Sequence, residues 1–414
     1  MRTRTSVNVI AAGIGVALLA GCGGGGSADS GSSGGDPKVI KIGTLHPLTG
    51  PYAGDGQQLE NGAKLAIKAI NDAGGIKSLG GAQLQLDAGD TKGAPDTGQS
   101  EAQRLISNGD VALVGTYQSA VSANVAAVAE RNRTPFLMDV SGDDSILSQG
   151  YKYSFRMQPK NSRFGTAAAD YVDQIAKASG HPVTKVAYLH ESTAFGTGAY
   201  NAFKAEAGKL GLTMGPEITY DAASVSDLTT QIAQVKASGA NVLVVSGYYR
   251  DGVLAAKAVQ TVKPKLDAVV GAADGAFDQP QFPTDAGSAA NGFFDVNYHL
   301  DDSAAAAQAF VKLYKTTYNA DARTEAALAY DAVRTIAAGL ESAKSTDKTK
   351  LRDAIAKGGI TPLTISTGPV TFDEKGENTT ALPVLTQVQN GAPVVVYPKE
   401  YAAKSPIYPA NPGQ

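Results

Sequence analysis

The sequence predicts an α/β protein of two lobes, each built on a parallel-rich sheet flanked by helices. From Lys38 onward, short β-branched runs alternate with Ala-rich segments of helical period, the pattern of βαβ units around parallel sheets. These runs fall into two successive series. The chain beyond its N-terminal region, about 375 residues, exceeds one ordinary core.

The first series of strands is expected at residues 39–45, 84–88, 111–114 and 136–138, and the second at 186–189, 213–219, 242–245 and 268–270. In the first helix Leu59, Ala63, Ala66, Ile70 and Ala73 recur three or four apart, and Asn71-Asp72-Ala73-Gly74-Gly75 stops it. Later helices are expected at 99–107, 119–130, 162–178, 195–209, 226–237, 251–262, 303–317 and 324–342. The last stretch differs in kind. Residues 362–370 and the alternation Val384-Leu385-Thr386-Gln387-Val388 read as short strands that close the sheets or cross between lobes.

The N-terminus has the three parts of a signal peptide: Arg2 and Arg4, an apolar run over residues 9–20, and small residues before Cys22. The run is too short to span a bilayer, which takes about 20 apolar residues. Leu19-Ala20-Gly21-Cys22 looks like a bacterial lipobox, in which the cysteine is acylated and becomes the first mature residue. Cys22 is the only cysteine, so no intramolecular disulfide is possible. Of the fourteen residues from Gly23 to Asp36, eleven are Gly or Ser; such a segment cannot bury apolar surface and reads as a flexible tether.

Without Arg2 and Arg4 the chain carries 34 basic and 39 acidic residues, a net charge of −5. No segment supplies the basic patch that nucleic acid requires. The four histidines, His46, His181, His190 and His299, lack the spacing of a zinc site. No metal or cofactor is expected, and the chain is expected to be a monomer.

Several segments, in order, carry a resemblance. They are Lys41-Ile42-Gly43-Thr44-Leu45-His46-Pro47-Leu48-Thr49-Gly50-Pro51-Tyr52-Ala53, Ile70-Asn71-Asp72-Ala73-Gly74-Gly75-Ile76, Gly150-Tyr151-Lys152-Tyr153-Ser154-Phe155-Arg156, Ala329-Tyr330-Asp331-Ala332 and Thr371-Phe372-Asp373-Glu374-Lys375-Gly376. Together they resemble the leucine/isoleucine/valine-binding receptor family, the type I periplasmic solute-binding proteins of ABC importers. The resemblance implies two lobes joined by three crossings that close on a small ligand. It divides the chain into a signal peptide (1–21), a lipidated tether (22–36), an N-terminal lobe (37–157 with 297–361) and a C-terminal lobe (158–296 with 362–414).

A ligand site is expected where Gly115-Thr116-Tyr117-Gln118-Ser119 links a strand to a helix. Ser119 is placed to cap that helix, whose first free N–H groups suit a carboxylate. The resemblance gives Ser119 the ligand's α-carboxylate, with Tyr117 and Gln118 beside it. After the next strand, either Ser141 or Gly142 takes a further contact by resemblance, while Asp143 has the alternative of simply capping the following helix. From the second lobe the resemblance places Phe195 and Tyr248 over the ligand and gives its ammonium to Asp274. Asp274 also fits an ordinary turn before Gly275. Asp55 stands where well-known leucine receptors carry an aromatic residue; it either faces the cleft, implying a polar or cationic ligand end, or caps the helix near Gln57.

The expected function is therefore a lipoprotein receptor that delivers an amino acid or small amide-like solute to ABC permease subunits. A sensory module of the same fold is an alternative. So is a surface hydrolase with Ser119 as nucleophile and His190 as base, although neither has a recognisable orienting partner. No Gly-x-Ser-x-Gly run follows an expected strand, the one at residues 31–35 being part of the Gly/Ser tether, and there is no Walker loop or metal-ligand pair.

Overall fold

The computed structural model describes residues 38–413, so the signal peptide, Cys22 and the Gly/Ser tether lie outside the described residues. Five strands form the first sheet: β1 (Val39–His46), β2 (Gln83–Asp90), β3 (Ala112–Gly115), β4 (Phe136–Met138) and β5 (Ser154–Arg156). They lie in the order β2-β1-β3-β4-β5, with every pair parallel. The second sheet holds β6 (Val186–Glu191), β7 (Met214–Tyr220), β8 (Val242–Ser246), β9 (Ala268–Ala272), β10 (Phe294–Asn297), β11 (Val384–Gln389) and β12 (Ala392–Tyr397). Its order is β12-β11-β10-β9-β8-β6-β7, parallel except where β11 meets β10 and β12. The fold is the two-lobed α/β architecture that the alternation of strand and helix signals predicts.

The central strands β3, β4, β8 and β9 are buried along their whole length, because helices cover both sheet faces and leave no side for polar residues. In the first lobe Leu59 and Ala63 of the helix Ala53–Asp72 and Ala329, Val333 and Ile336 of the helix Thr324–Ala343 pack over Ile40 and Ile42. Those two helices approach so closely at Gly62 that a Cβ there would lie 2.0 Å from Ala326 O. Leu105, Val121 and Val125 cover the opposite face. In the second lobe the helices Asn161–Ser179 and Ala194–Leu210 pack over Tyr188, Val244 and Val270.

Three crossings join the lobes: one after β5, one after β10, and one returning to β11. They are hydrogen-bonded to one another. Arg156 N donates to Gly376 O at 2.8 Å and Ile365 N to His299 O at 2.8 Å, and Asn378 Nδ2 donates to Met157 O at 2.8 Å.

Several elements differ from expectation. Residues 362–370 form no strand; they make only isolated bridges, such as Leu300 with Thr364, because they serve as a crossing with no sheet edge beside them. β5, β10 and β12 are strands that the sequence reading omitted. The helices Phe282–Ala286 and Lys348–Ile355 were omitted too, whereas Asp144–Ser148 is the helix after Asp143 that the sequence reading allowed for. β12 did have a signal. Asn390 and Gly391 turn at φ 55° and 79°, the left-handed pair that an Asn-Gly hairpin requires.

Candidate functional site

The loops at the C-terminal ends of β3, β8 and β9 converge between the lobes, the place where open parallel sheets receive ligands. Tyr52 and Tyr117 from the first lobe meet Tyr248 from the second, with ring centroids 5.2 and 5.3 Å away. Phe195 lies 5.5 Å from Tyr248 on its own lobe. The lobes are thus closed on each other through aromatic rings.

Behind these rings is a cavity of about 40 Å³, far below the roughly 300–1,000 Å³ of a formed small-molecule pocket. A ligand of amino-acid size therefore enters only if the rings or lobes part. Tyr117, Ser119 and Val140 line it from the first lobe, Gln158 from the crossing after β5, and Phe195, Gly247, Tyr248, Ala273 and Gly275 from the second lobe. Asn297 and Tyr298 at the second crossing and Glu325 complete the wall. Of the expected site residues, the structure brings Tyr117, Ser119, Phe195 and Tyr248 together here.

The others lie elsewhere, each for a local reason. Ser119 lines the cavity but does not cap its helix: Gln118 occupies the cap position, and Ser119 is the first helical residue. Its Oγ accepts from Ser141 Oγ and from Asp143 N, both at 3.3 Å. Ser141 and Gly142 sit behind that contact, outside the cavity lining. Ser141 O accepts from the buried Arg156 guanidinium, and a Cβ on Gly142 would strike Asn161. Gln118 is also buried outside the lining. Asp143 caps the helix Asp144–Ser148, accepting from Ser145 N at 3.0 Å.

Asp274 does not face the cavity. Its Oδ1 accepts from Ala276 N at 2.9 Å, the turn contact before Gly275, and its side chain lies against Gly252 and Gly271. Burial holds both Asp274 and the neighbouring Asp295 well above the usual carboxylate range. Asp55 neither caps its helix nor lines the cavity. It lies in the first turn of the helix Ala53–Asp72, and its Oδ1 is 2.6 Å from Arg323 Nη1. Burial raises Asp55 to about 6 despite that partner.

Arg323 does more than neutralise Asp55. Its guanidinium lies 3.8 Å from the centroid of the Tyr249 ring, and its Nε donates to Gln281 Oε1 at 3.2 Å. Tyr249 and Gln281 belong to the second lobe, so one side chain ties the lobes across the cleft. The pairing that a hydrolase would need is not formed. Ser119 Oγ has the partners just given, while His190 Nδ1 bonds Glu191 O at 2.7 Å and Nε2 lies 3.3 Å from Glu217 Oε1.

Glu325 is one of the cavity residues that sequence reasoning missed, along with Gln158, Asn297 and Tyr298. It is 1 % exposed, its Oε2 has no hydrogen-bond partner among the described residues, and burial raises it to about 8 against the pull of Arg323. Among the described residues no cluster of His, Cys, Asp and Glu is arranged for a metal ion. No helix there is long and apolar enough to cross a membrane.

Gly275 lies against the Tyr248-Tyr249 backbone of its own lobe and faces Tyr117 across the cleft. A methyl there would lie 2.7 Å from Tyr249 N and 3.1 Å from Tyr117 Oη, on opposite sides of the cleft. Overpacking of this kind costs about 1–3 kcal/mol. Gly275→Ala is expected to hold the lobes apart, seen as a larger radius of gyration in solution scattering and weaker ligand binding. An unchanged radius would count against this role.

Residues 39–392 match the family described as Periplasmic binding protein. The Leu/Ile/Val-binding protein homolog 3 of Brucella melitensis is 30% identical over 342 residues, covering 82% of this chain and 88% of the relative. Among solved structures, the branched-chain amino acid transporter substrate binding protein LivJ of Streptococcus pneumoniae, in complex with isoleucine, superposes with a TM-score of 0.75 at 23% identity, covering 87% of this chain and 100% of that one. A solute binding protein of an ABC transporter from R. palustris, in complex with benzoate, gives a TM-score of 0.75 at 21% identity, covering 86% and 95%. At those identities the two structures show the fold. With the family matched along most of its length, the chain belongs to the periplasmic binding proteins, in their type I leucine/isoleucine/valine-binding receptor family.

Proposed function

We propose that the protein is an extracytoplasmic receptor of an ABC importer, which closes its two lobes on an amino acid or small related solute and delivers it to permease subunits. One observation carries this: a single buried cavity takes its walls from both lobes, so a ligand there touches the full set of partners only in the closed form. A ligand shifts such an equilibrium by its differential affinity for the two forms. The relatives named for leucine, isoleucine and valine, and the isoleucine complex, support an amino acid; the benzoate complex shows that the same fold accommodates another small carboxylate.

In this reading Ser119 and the first-turn N–H groups of its helix receive the carboxylate, and Tyr117, Phe195 and Tyr248 enclose the remainder. Lipid on Cys22 holds the receptor near its permease, where confinement raises the effective concentration of delivered solute. Thermal unfolding measured against amino acids, amides and small carboxylates tests the reading. A ligand at 100 times its Kd adds about 2.7 kcal/mol, a shift of several degrees. No shift with any such solute at millimolar concentration would remove most of the support. Cys22→Ser should yield a released, folded protein with unchanged ligand affinity; loss of binding in that form would show that the N-terminal segment does more than anchor.

A further inference from the structure

Of the residues that line the cavity, one is an acid, Glu325. Asp55 has Arg323, whose guanidinium also bonds Gln281 and stacks on the Tyr249 ring. Asp278 has His299, with Oδ2 3.4 Å from Nδ1. Glu325 feels the charge of Arg323 but forms no ion pair or hydrogen bond with it, and no Lys or Arg lines the cavity. The cavity also presents a second unsatisfied acceptor, Gln158 Oε1; the amide's Nε2 already donates to Val140 O. A buried acceptor without a donor is costly, and a buried carboxylate more so. The wall is therefore complementary to a solute that brings donors and positive charge.

We propose that Glu325 is the specificity-determining residue that receives an ammonium group of the bound solute, so that the receptor selects ammonium-bearing solutes over the corresponding plain carboxylates. This rests on the receptor reading and departs from it at one point. Asp274, expected in that role, is turned into its own loop. Glu325 lies on the first-lobe side, beside the second crossing, so a solute held there engages the lobe that also carries Ser119. A charged ligand nitrogen would replace the missing base, and the hydrogen bond formed is of the charge-assisted kind.

The protonation state follows. The charged and titratable groups facing Glu325 are Arg323 beside it, Asp55 from the first helix, Tyr117 after β3, Asp278 from the loop after β9, Tyr298 after β10 and Tyr314 from the helix Ala305–Tyr318. Burial holds Glu325 near 8, so at pH 7 it is mostly protonated before binding. An arriving ammonium favours the carboxylate, and the proton leaves to solvent.

The test is calorimetric titration of the full-length receptor and of Glu325→Gln with leucine, isoleucine and lysine, each beside its deamino counterpart, such as 4-methylpentanoate for leucine. Lysine distinguishes an α-ammonium from a side-chain ammonium, since 6-aminohexanoate keeps only the latter. Wild type should bind at least one ammonium-bearing solute at least tenfold tighter than its deamino counterpart. In Glu325→Gln that preference should fall at least tenfold, with the deamino acid little changed. Titrations in phosphate and Tris at pH 7 should give different apparent enthalpies for wild type, reporting proton release, and equal ones for the variant. Binding of a deamino acid as tightly as its ammonium counterpart, or an unchanged preference in the variant, would overturn the role of Glu325 and leave the receptor reading standing. Absence of binding by any solute, in wild type, would overturn both. Should Glu325→Gln not fold, Glu325→Met takes its place, and the wild-type preference and proton release still decide.

Discussion

Replacing His46 with Gln is expected to destabilise the protein by roughly 3–5 kcal/mol, the cost of removing one partner from a buried ion pair. His46 is fully buried at the end of β1, with Nδ1 3.1 Å from Glu60 Oε2 and Nε2 2.8 Å from Asp139 Oδ2. It joins three elements: the first strand, the first helix through Glu60, and the end of β4 through Asp139. Thr44 Oγ1 adds a 2.8 Å bond to Glu60. Without the imidazolium, Glu60 keeps the Thr44 hydroxyl and the half-exposed Lys64 ammonium 3.4 Å away, and the buried Asp139 keeps the Val140 N–H but no cation. Chemical denaturation at pH 7 measures the loss, and a change under 1 kcal/mol would contradict it. Since Ser119, Ser141 and Asp143 follow β3 and β4, ligand affinity should fall along with stability.

The same triad predicts a pH response. Burial opposes the charge on His46, but the bonds to Asp139 and Glu60 outweigh it and raise the imidazole to about 9. A base with a raised folded pKa contributes stability that is complete below its unfolded value, near 6.5, and lost as pH climbs through about 9. His299, raised to about 9 by Asp278 and Asp302 against its burial, acts in the same window and sense. The melting temperature should therefore decline between pH 7 and pH 10, and His46→Gln should flatten much of that decline. A wild-type profile flat across this window would show that the imidazoles are neutral.

How much of this was legible in the sequence depends on distance along the chain. β1, β4, β8 and the helices Ser119–Arg131 and Thr324–Ala343 carry strong local patterns, and their positions follow from those patterns within a few residues. β5 and β10 are as short as β4 and β3 but break their apolar runs with polar or charged residues, Ser154 and Arg156 in one and Asp295 and Asn297 in the other, so no apolar strand signal registers. In the site, Tyr117, Ser119, Phe195 and Tyr248 follow strand ends, where topology alone puts them at the cleft. Asp274 follows a strand end too, yet spacing cannot tell an acid aimed at a ligand from one bonded to the N–H two residues on. Glu325 was hidden for the opposite reason. In Arg323-Thr324-Glu325 it reads as an ordinary first-turn acid favourable to the helix dipole, and only the return of the chain to the first lobe brings it beside Tyr117.

Arg323→Ala is the second large effect expected, and it should appear in the conformational equilibrium as well as in stability. On one side Arg323 neutralises Asp55; on the other it stacks on Tyr249 and bonds Gln281 across the cleft. A desolvated cation–π contact is worth about 2 kcal/mol or more, so its loss alone shifts the closed-to-open ratio about 30-fold. Burial already holds Asp55 near 6. With Arg323 gone it rises further and is protonated in the folded protein at neutral pH, so the added stability cost builds up as pH climbs from about 6 to the new value and levels off above it. Tyr249→Ala removes only the contact across the cleft and leaves Asp55 paired. If Arg323 is a latch, both variants expand in solution scattering and lose ligand affinity by about tenfold or more, a fold-change worth roughly 1.4 kcal/mol, while only Arg323→Ala acquires the added pH dependence. A variant pair that differs in stability but keeps the wild-type radius and affinity would confine Arg323 to the first lobe.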